Sequence, residues 1–381
     1  MRTRLFVTTT LAPLVGLSLT GSLRHNGVSL ILMINSKRKT NGLELLRQPK
    51  SAAVFVTSDP IAMAKRRPDC GIYNGHCEDL LAALPEEPLF DLVVTSPPYN
   101  IGKPYEQKVE LKEYREKQRG VIVELAKRLK PTGSLCWQVG NYIVSSSNNR
   151  GSVYPLDYLF HPIFEELGLI LRNRIVWRFG HGLHCKHRFS GRYEVILWYT
   201  NATEYFFDLD AVRVKPKYPG KRHYKGPKLG ELSSNPNGKN PEDVWEEPCG
   251  NMQENWENHW DGFWDIPNVK SNHIEKQAHP CQFPVGLVER LVKALCPVGG
   301  LVFDPYAGAA SAGIAAIANK RRFWGAELAP EYVRVGRDWL NDAIAGKAKY
   351  RPHDKPIYDH TKSPLSKVPA EPPHLFKVEK D

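Results

Sequence analysis

The sequence predicts an α/β fold built on a mostly parallel sheet, and three observations carry that prediction. Two short, continuous apolar runs, Leu92-Val93-Val94 and Leu301-Val302-Phe303, each lead into a polar or small-residue turn, as strands buried on both faces do. Amphipathic stretches occur alongside them, such as residues 285–295, where Val288, Leu291, Val292 and Leu295 follow helical spacing. The chain has 381 residues, of which 41% are hydrophobic, which is enough for one large α/β domain with an insertion and a substantial core.

At the start, Arg2 and Arg4 precede a moderately apolar stretch over residues 5–23 that imitates a secretory signal. Its Thr and Ser residues and Pro13 dilute it, no clean small-residue cleavage site follows, and it is too polar for a membrane span. Residues 1–68 are therefore expected to be a poorly structured extension, with Met33 or Met63 as alternative starts and no membrane partner.

From residue 69 to 211 a catalytic half is expected. Within it, residues 91–100 read Asp-Leu-Val-Val-Thr-Ser-Pro-Pro-Tyr-Asn and join a buried strand to a rigid, aromatic-tipped loop. Proline stops both ladder and helix, so Ser96 and Tyr99 must project from the strand's carboxyl end, where ligands bind in open α/β sheets. Residues 111–131 read as a helix feeding a strand over 133–140, and 174–177 and 193–199 as further apolar strands.

The loop is suited to holding an amino group flat. An exocyclic amino nitrogen is a poor nucleophile while its lone pair is delocalised into the ring. The Ser96 hydroxyl and the Pro97 carbonyl can each accept one amino hydrogen, which turns the lone pair toward an activated methyl group, and Tyr99 can stack on the base. Proline pre-organises that carbonyl and brings no competing N–H. The bland alternative is a strand-ending turn with a surface tyrosine.

Residues 301–313 run from an apolar strand through Asp304-Pro305-Tyr306-Ala307-Gly308-Ala309-Ala310 into a helical stretch over 314–318. About 20 residues beyond the turn, a second strand over 323–327 ends in Glu327, where a dinucleotide-type site places a carboxylate for ribose hydroxyls. Close helix–strand packing explains a small-residue turn equally well; Glu327 at that distance is what points to a cofactor.

On these residues the chain resembles the amino-methylating DNA methyltransferases that use S-adenosylmethionine (SAM). Their catalytic loop reads Asp, Ser or Asn, then Pro-Pro, then an aromatic, and their cofactor turn reads Asp-Pro-Phe-x-Gly-x-Gly. A catalytic loop that precedes the cofactor turn is the order of the beta group. The resemblance covers residues 69–345 and implies a Rossmann-like SAM-dependent methyltransferase fold, circularly permuted, with a mixed seven-stranded sheet and helices on both faces. It implies Ser96, Pro97, Pro98 and Tyr99 as the catalytic loop, and Phe283, Phe303, Asp304, Pro305, Gly308, Ser311 and Glu327 as the SAM site. Phe283 enters through His279-Pro280-Cys281-Gln282-Phe283-Pro284, which is similar to the element packed along the methionine end of SAM. In this family Ser at the first loop position accompanies mainly cytosine N4 methylation and Asp mainly adenine N6. The resemblance thus implies N4 of cytosine in double-stranded DNA as target, adenine N6 as the alternative, and a restriction-modification or orphan system in which a cognate restriction endonuclease is the partner. A non-catalytic DNA-binding protein on the same fold and an RNA substrate are the other readings.

Two residues depart from the family pattern. Ala310 stands where a second Gly is usual, and a positive φ there would strain it by about 1 kcal/mol or more. His76 follows Gly75 where relatives often carry Asp. Pro280-Cys281-Gln282 mimics the nucleophile loop of cytosine-C5 enzymes, but it precedes the cofactor turn where theirs follows it, so bland packing is expected of Cys281. Methyl transfer from a sulfonium needs no metal, so His181, His184, Cys185 and His187, beside the charged Lys186 and Arg188, read as a mobile loop over the active site.

Net charge is +11, which favours a polyanionic partner. Arg213, Lys215, Lys217, Lys221, Arg222, Lys225 and Lys228 occur without an acid between Asp210 and Glu231 and are the expected DNA contacts. They open an insertion over residues 212–271, rich in Pro, Gly, Asn and Trp, which is expected to be irregular and to recognise the target, with Trp245, Trp256, Trp260, Phe263 and Trp264 as its core. Residues 272–345 form the SAM-binding half and 346–381 a flexible tail. Seven cysteines without a CxxC pair indicate reduced thiols and a cytoplasmic protein.

Overall fold

The structure is a computed structural model, and it describes residues 53–103, 105–144, 151–179, 184–214, 216, 218, 220–246, 266–270 and 273–351. In chain order the strands are β1 (Phe55–Thr57), β2 (Cys70–Asn74), β3 (Phe90–Thr95), β4 (Leu129–Val139), β5 (Asn141–Ile143), β6 (Val153–Pro155), β7 (Ile170–Arg178), β8 (Tyr193–Thr200), β9 (Val244–Glu246), β10 (Leu301–Asp304) and β11 (Arg322–Glu327). The helices are α1 (Pro60–Arg66), α2 (Cys77–Ala83), α3 (Leu111–Arg128), α4 (Leu156–Glu166), α5 (Val285–Leu295), α6 (Ser311–Ala318) and α7 (Pro330–Ile344).

Nine strands make one sheet in the order β1-β2-β11-β10-β3-β4-β8-β7-β9, and β5 pairs with β6 beside it. Pairing is parallel from β1 through β4, antiparallel on both sides of β8, and parallel again between β7 and β9. The seven strands from β2 to β7 are the mixed sheet expected from the sequence; the two edge strands, three residues each, extend it.

Alternation along β10 sends Val302 to one face and Leu301 and Phe303 to the other, so two apolar layers form. The first is covered by α5, α6 and α7 through Leu287, Leu291, Ile314, Val333 and Leu340. The second is covered by α1 to α4 through Met63, Leu80, Ile122 and Phe160.

Three sequence boundaries are corrected. Residues 53–68 are not loose: β1 pairs with β2, Asp59 caps α1 by accepting the Ile61 N–H at 2.9 Å, and Met63 is fully buried. The insertion is less irregular than expected, because β9 joins the sheet beside β7 and Trp245 packs into the main core. Residues 346–351 are anchored, with Tyr350 against the core and the Arg351 N–H donating to Glu275 Oε1 at 2.9 Å. Trp256, Trp260, Phe263 and Trp264 lie outside the described residues.

The two halves drawn from the sequence interleave, since β10 and β11 sit between β2 and β3. Register is set by Leu92 opposite Val302 and Val93 opposite Phe303. Side chains clamp the pair at both ends. Asp91 Oδ2 accepts the Leu301 N–H at 2.8 Å and the Lys130 ammonium at 2.8 Å, and at the carboxyl end the Thr95 hydroxyl donates to Asp304 Oδ1 at 2.6 Å.

Burial pushes the Asp304 carboxyl up to about 7, although the Thr95 hydroxyl and the Tyr306 N–H both favour the ionised form. A raised folded value means that the native state holds a proton the unfolded chain has lost. This contribution is complete below about pH 4 and vanishes as pH rises through about 7. The stability advantage of the natural chain over Asp304→Asn, measured by urea unfolding, is therefore expected to shrink from pH 5 to 7 and level off above; an advantage that grows with pH would contradict the assignment. Thr95→Val should cost about 1–3 kcal/mol by removing a buried partner of that carboxyl.

Candidate active site

Because β3 and β10 are neighbours, the Pro-Pro corner and the small-residue turn open onto one cleft of about 780 Å³. Ser96, Pro97, Pro98 and Tyr99 line one side of it, and Phe283, Pro305, Gly308, Ser311 and Glu327 line the other. Two expected ligands do not reach it. Phe303 is fully buried and stacks on Phe90 with ring centroids 4.5 Å apart, and Asp304 is fully buried behind the turn, tied to Thr95. Their strand alternation and central position make them framework.

The Ser-Pro-Pro-Tyr loop is held from four sides. Tyr114 donates to the Pro98 carbonyl at 2.6 Å. Asn100, at φ +58°, exchanges two hydrogen bonds with the Val109 backbone, each 2.8 Å. The Glu106 carboxylate accepts the N–H groups of Asn100 and Ile101 at 2.8 Å and of Lys103 at 3.2 Å. Gly140 leaves room for the tyrosine, since a Cβ there would lie 3.3 Å from Tyr99 Cε2.

Tyr99 donates its hydroxyl proton to Glu194 Oε2 at 3.1 Å, and the same oxygen accepts from Gln138 Nε2 at 2.7 Å. Ser96 Oγ lies 3.0 Å from Tyr99 Oη. A phenol has one proton, so with that proton on Glu194 it is Ser96 that donates to Tyr99, and the serine oxygen keeps its lone pairs. Burial, then the Glu194 charge, pushes the Tyr99 phenol well above its usual value, and burial likewise raises the Glu194 carboxyl.

On the cofactor side Glu327 closes the turn. Its Oε2 accepts the Gly308 N–H at 2.8 Å and its Oε1 the Ala329 N–H at 2.9 Å. Gly308, at φ +51°, lies under His279, whose Nε2 would be 3.2 Å from an added Cβ. Burial pushes the His279 imidazole down to about 4, so its ring is neutral at pH 7.

A sequence model described as DNA methylase matches residues 90–338. The chain is 44% identical over 270 residues to the type II methyltransferase M.BglII of Bacillus subtilis, covering 71% of this chain and 68% of that protein. The chain belongs to the DNA methylase family. It is 32% identical to the DNA adenine methyltransferase YhdJ of Escherichia coli (strain K12), over 70% of this chain and 80% of that one. Among solved structures, PvuII DNA methyltransferase (cytosine-N4-specific) superposes with a TM-score of 0.51 at 20% identity over 72% of this chain and 90% of that chain, a likeness of fold. The methylase is thus a beta-group amino methyltransferase acting on DNA, and its cofactor is SAM.

The residues present fit that cofactor. The Glu327 oxygens each accept one N–H and keep a further lone pair for ribose hydroxyls, and the Gly308 turn leaves space that a Cβ would fill. Bound there, SAM supplies an electrophilic methyl group on a sulfonium.

The methylase departs from its family at two points. His76 starts α2 without a side-chain cap, where an Asp would satisfy a helix N–H, and it lines the cleft. Ala310 adopts φ +65° at the start of α6, so the conformation that favours glycine is present and strained. Of the expected DNA contacts, Lys221, Arg222, Lys225 and Lys228 are exposed, whereas Arg213 is committed to Asp210 Oδ1 at 2.5 Å and the Gly238 carbonyl at 3.0 Å. Lys215 and Lys217 lie outside the described residues, as does His181. Among the described residues no cluster of His, Cys, Asp or Glu is placed to hold a metal, and no helix is long and apolar enough to cross a membrane.

Glu194, Gln138, Tyr114 and Glu106 were not legible as site residues. Only Glu194 carried a signal, as an acid near the start of an otherwise apolar strand.

Relief of left-handed strain at residue 310, on the order of 1–2 kcal/mol, opposes the loss of a buried methyl, about 0.8 kcal/mol. Ala310→Gly should therefore leave unfolding stability within about 1 kcal/mol of the natural chain, by urea titration; a loss above about 2 kcal/mol would show that packing against Gly336 dominates.

Proposed function

We propose that the methylase transfers the methyl group of SAM to the exocyclic N4 of cytosine in duplex DNA, as the modification enzyme of a restriction-modification pair or as an orphan. One observation carries this reading: the Ser96–Tyr99–Glu194 chain, in which each hydroxyl gives its one proton to the next member and leaves Ser96 Oγ as an acceptor at the cleft. Ser96 Oγ and the Pro97 carbonyl each take one amino hydrogen, Tyr99 stacks on the base, and the nitrogen lone pair is turned toward the cofactor side. The C–S bond breaks as the N–C bond forms, in line and without a covalent enzyme intermediate. The surplus amino proton can then pass to Ser96, from Ser96 to Tyr99 and from Tyr99 to Glu194.

Phe283, Pro305, Gly308, Ser311 and Glu327 hold SAM in this reading, with Asp304 and Phe303 supporting them from behind. A stacked base hides its amino group, so the target nucleotide flips into the Tyr99 pocket while Lys221, Arg222, Lys225 and Lys228 contact phosphates. A serine at the head of the loop favours cytosine; the 32% identity to an adenine methyltransferase favours N6 of adenine as the second reading. The type II relatives favour a cognate endonuclease as partner.

Incubating unmethylated plasmid DNA with SAM and the enzyme, digesting to nucleosides and weighing them should yield N4-methylcytosine; N6-methyladenine alone would replace the first reading by the second. Mapping the modified positions gives the site. Ser96→Ala should lower turnover by about 100-fold or more while SAM affinity by calorimetry stays within about twofold. Equal losses in both would remove Ser96 from the chemistry.

A further inference from the structure

Phe189 is 100% exposed, on the loop that joins β7 to β8. Its neighbours are basic: Lys186, Arg188 and Arg192, with His184 and His187, and no acid occurs from His184 to Tyr193. Among the described residues, Lys186 makes no ion pair and Arg188 bonds only within the loop, to the Phe189 carbonyl at 3.3 Å. The tip is shaped by the Cys185 N–H donating to Ser190 Oγ at 3.1 Å.

The strand ends that carry this loop stand at the cleft. The loop's base is closed by the Phe179 N–H donating to the Arg192 carbonyl at 2.9 Å and by Trp177 pairing with Glu194. Trp177 and Glu194 both line the cleft, and Glu194 holds Tyr99. Glu194 follows Phe189 by five positions, so the Phe189 Cα lies within about 18 Å of the Cα of the residue that anchors the base platform.

We infer that Phe189 is the wedge that enters the DNA stack as the target nucleotide leaves it. The inference rests on the base-flipping reading above. An extruded nucleotide leaves a gap whose walls are unstacked bases, and an apolar ring inserted there recovers stacking that water cannot supply. The cations beside it suit the phosphates flanking that step. Charge selects the occupant: a loop with three cations and no acid presents its one bare ring to a polyanion.

The test uses the full-length enzyme, SAM and a duplex oligonucleotide carrying the mapped site, in a paired form and in a form whose target base is mispaired and already loosened. Transfer by the natural enzyme to the paired duplex reports on the underlying reading; no transfer to either form would end that reading whatever Phe189 does. Phe189→Ala should slow transfer to the paired duplex by about tenfold, recover to within about twofold of the natural enzyme on the mispaired one, and leave SAM affinity unchanged. Phe189→Trp should retain the paired rate. Equal rates for Phe189→Ala and the natural enzyme on the paired duplex, or equal slowing on both forms, would overturn the wedge. Loss of a dimer in sedimentation with unchanged rates would instead assign the ring to a second copy of the chain.

Discussion

The adjacency of β3 and β10 is the constraint on which the site depends. Residues far apart along the chain become neighbours because Leu92 and Val93 pair in register with Val302 and Phe303. Apolar burial alone would tolerate slippage between two such strands, but the polar clamps would not. Asp91 bonds the Leu301 N–H and Asp304 bonds Thr95, so a slip in register would leave buried carboxylates without partners. The Asp304 carboxyl is the more exposed to this penalty, because its second oxygen, among the described residues, has no hydrogen-bond partner. Register is therefore specified at the strand ends, where the two functional turns begin.

From that frame the site is assembled by backbone restraint more than by side-chain reach. The Pro-Pro corner is held by Tyr114, Asn100 and Glu106, and the opposite turn by the two hydrogen bonds of Glu327. Rigid turns can present carbonyls and hydroxyls already aimed, so little ordering is left to occur when ligands arrive. Ala310 shows how strongly position governs here: its backbone takes a left-handed conformation that the side chain disfavours, since the turn and the start of α6 demand it.

Much of this was legible in the residues. The strand over 92–94 with its Ser-Pro-Pro-Tyr exit, the strand over 301–303 with its turn, and the helix over 285–295 all lie where periodicity placed them, because each is a local pattern backed by burial. What escaped was non-local. The resemblance implied Asp304 as a SAM ligand, yet its side chain bonds across to Thr95 on the neighbouring strand. Glu194 stood out only as an acid in an apolar strand, because its partners, Tyr99 and Gln138, come from two other strand ends. Arg213 belonged by composition to the basic run, but Asp210 three residues earlier takes its charge. The strand at 55–57 was missed because a three-residue edge strand has too short a pattern to read, and only its pairing with β2 defines it.

The placement of β10 and β11 between β2 and β3 has a consequence for biosynthesis. On the ribosome, the segment that emerges first contains β2 and β3 but not the strands that separate them. Each then presents an open edge, both apolar, until residue 327 has cleared the exit tunnel. The nascent chain must stay soluble through nearly its whole synthesis with the sheet's centre missing, and closure is a long-range event of the slow-folding kind. The cleft thus closes only once β10 and β11 have been made, however early the Pro-Pro corner is translated.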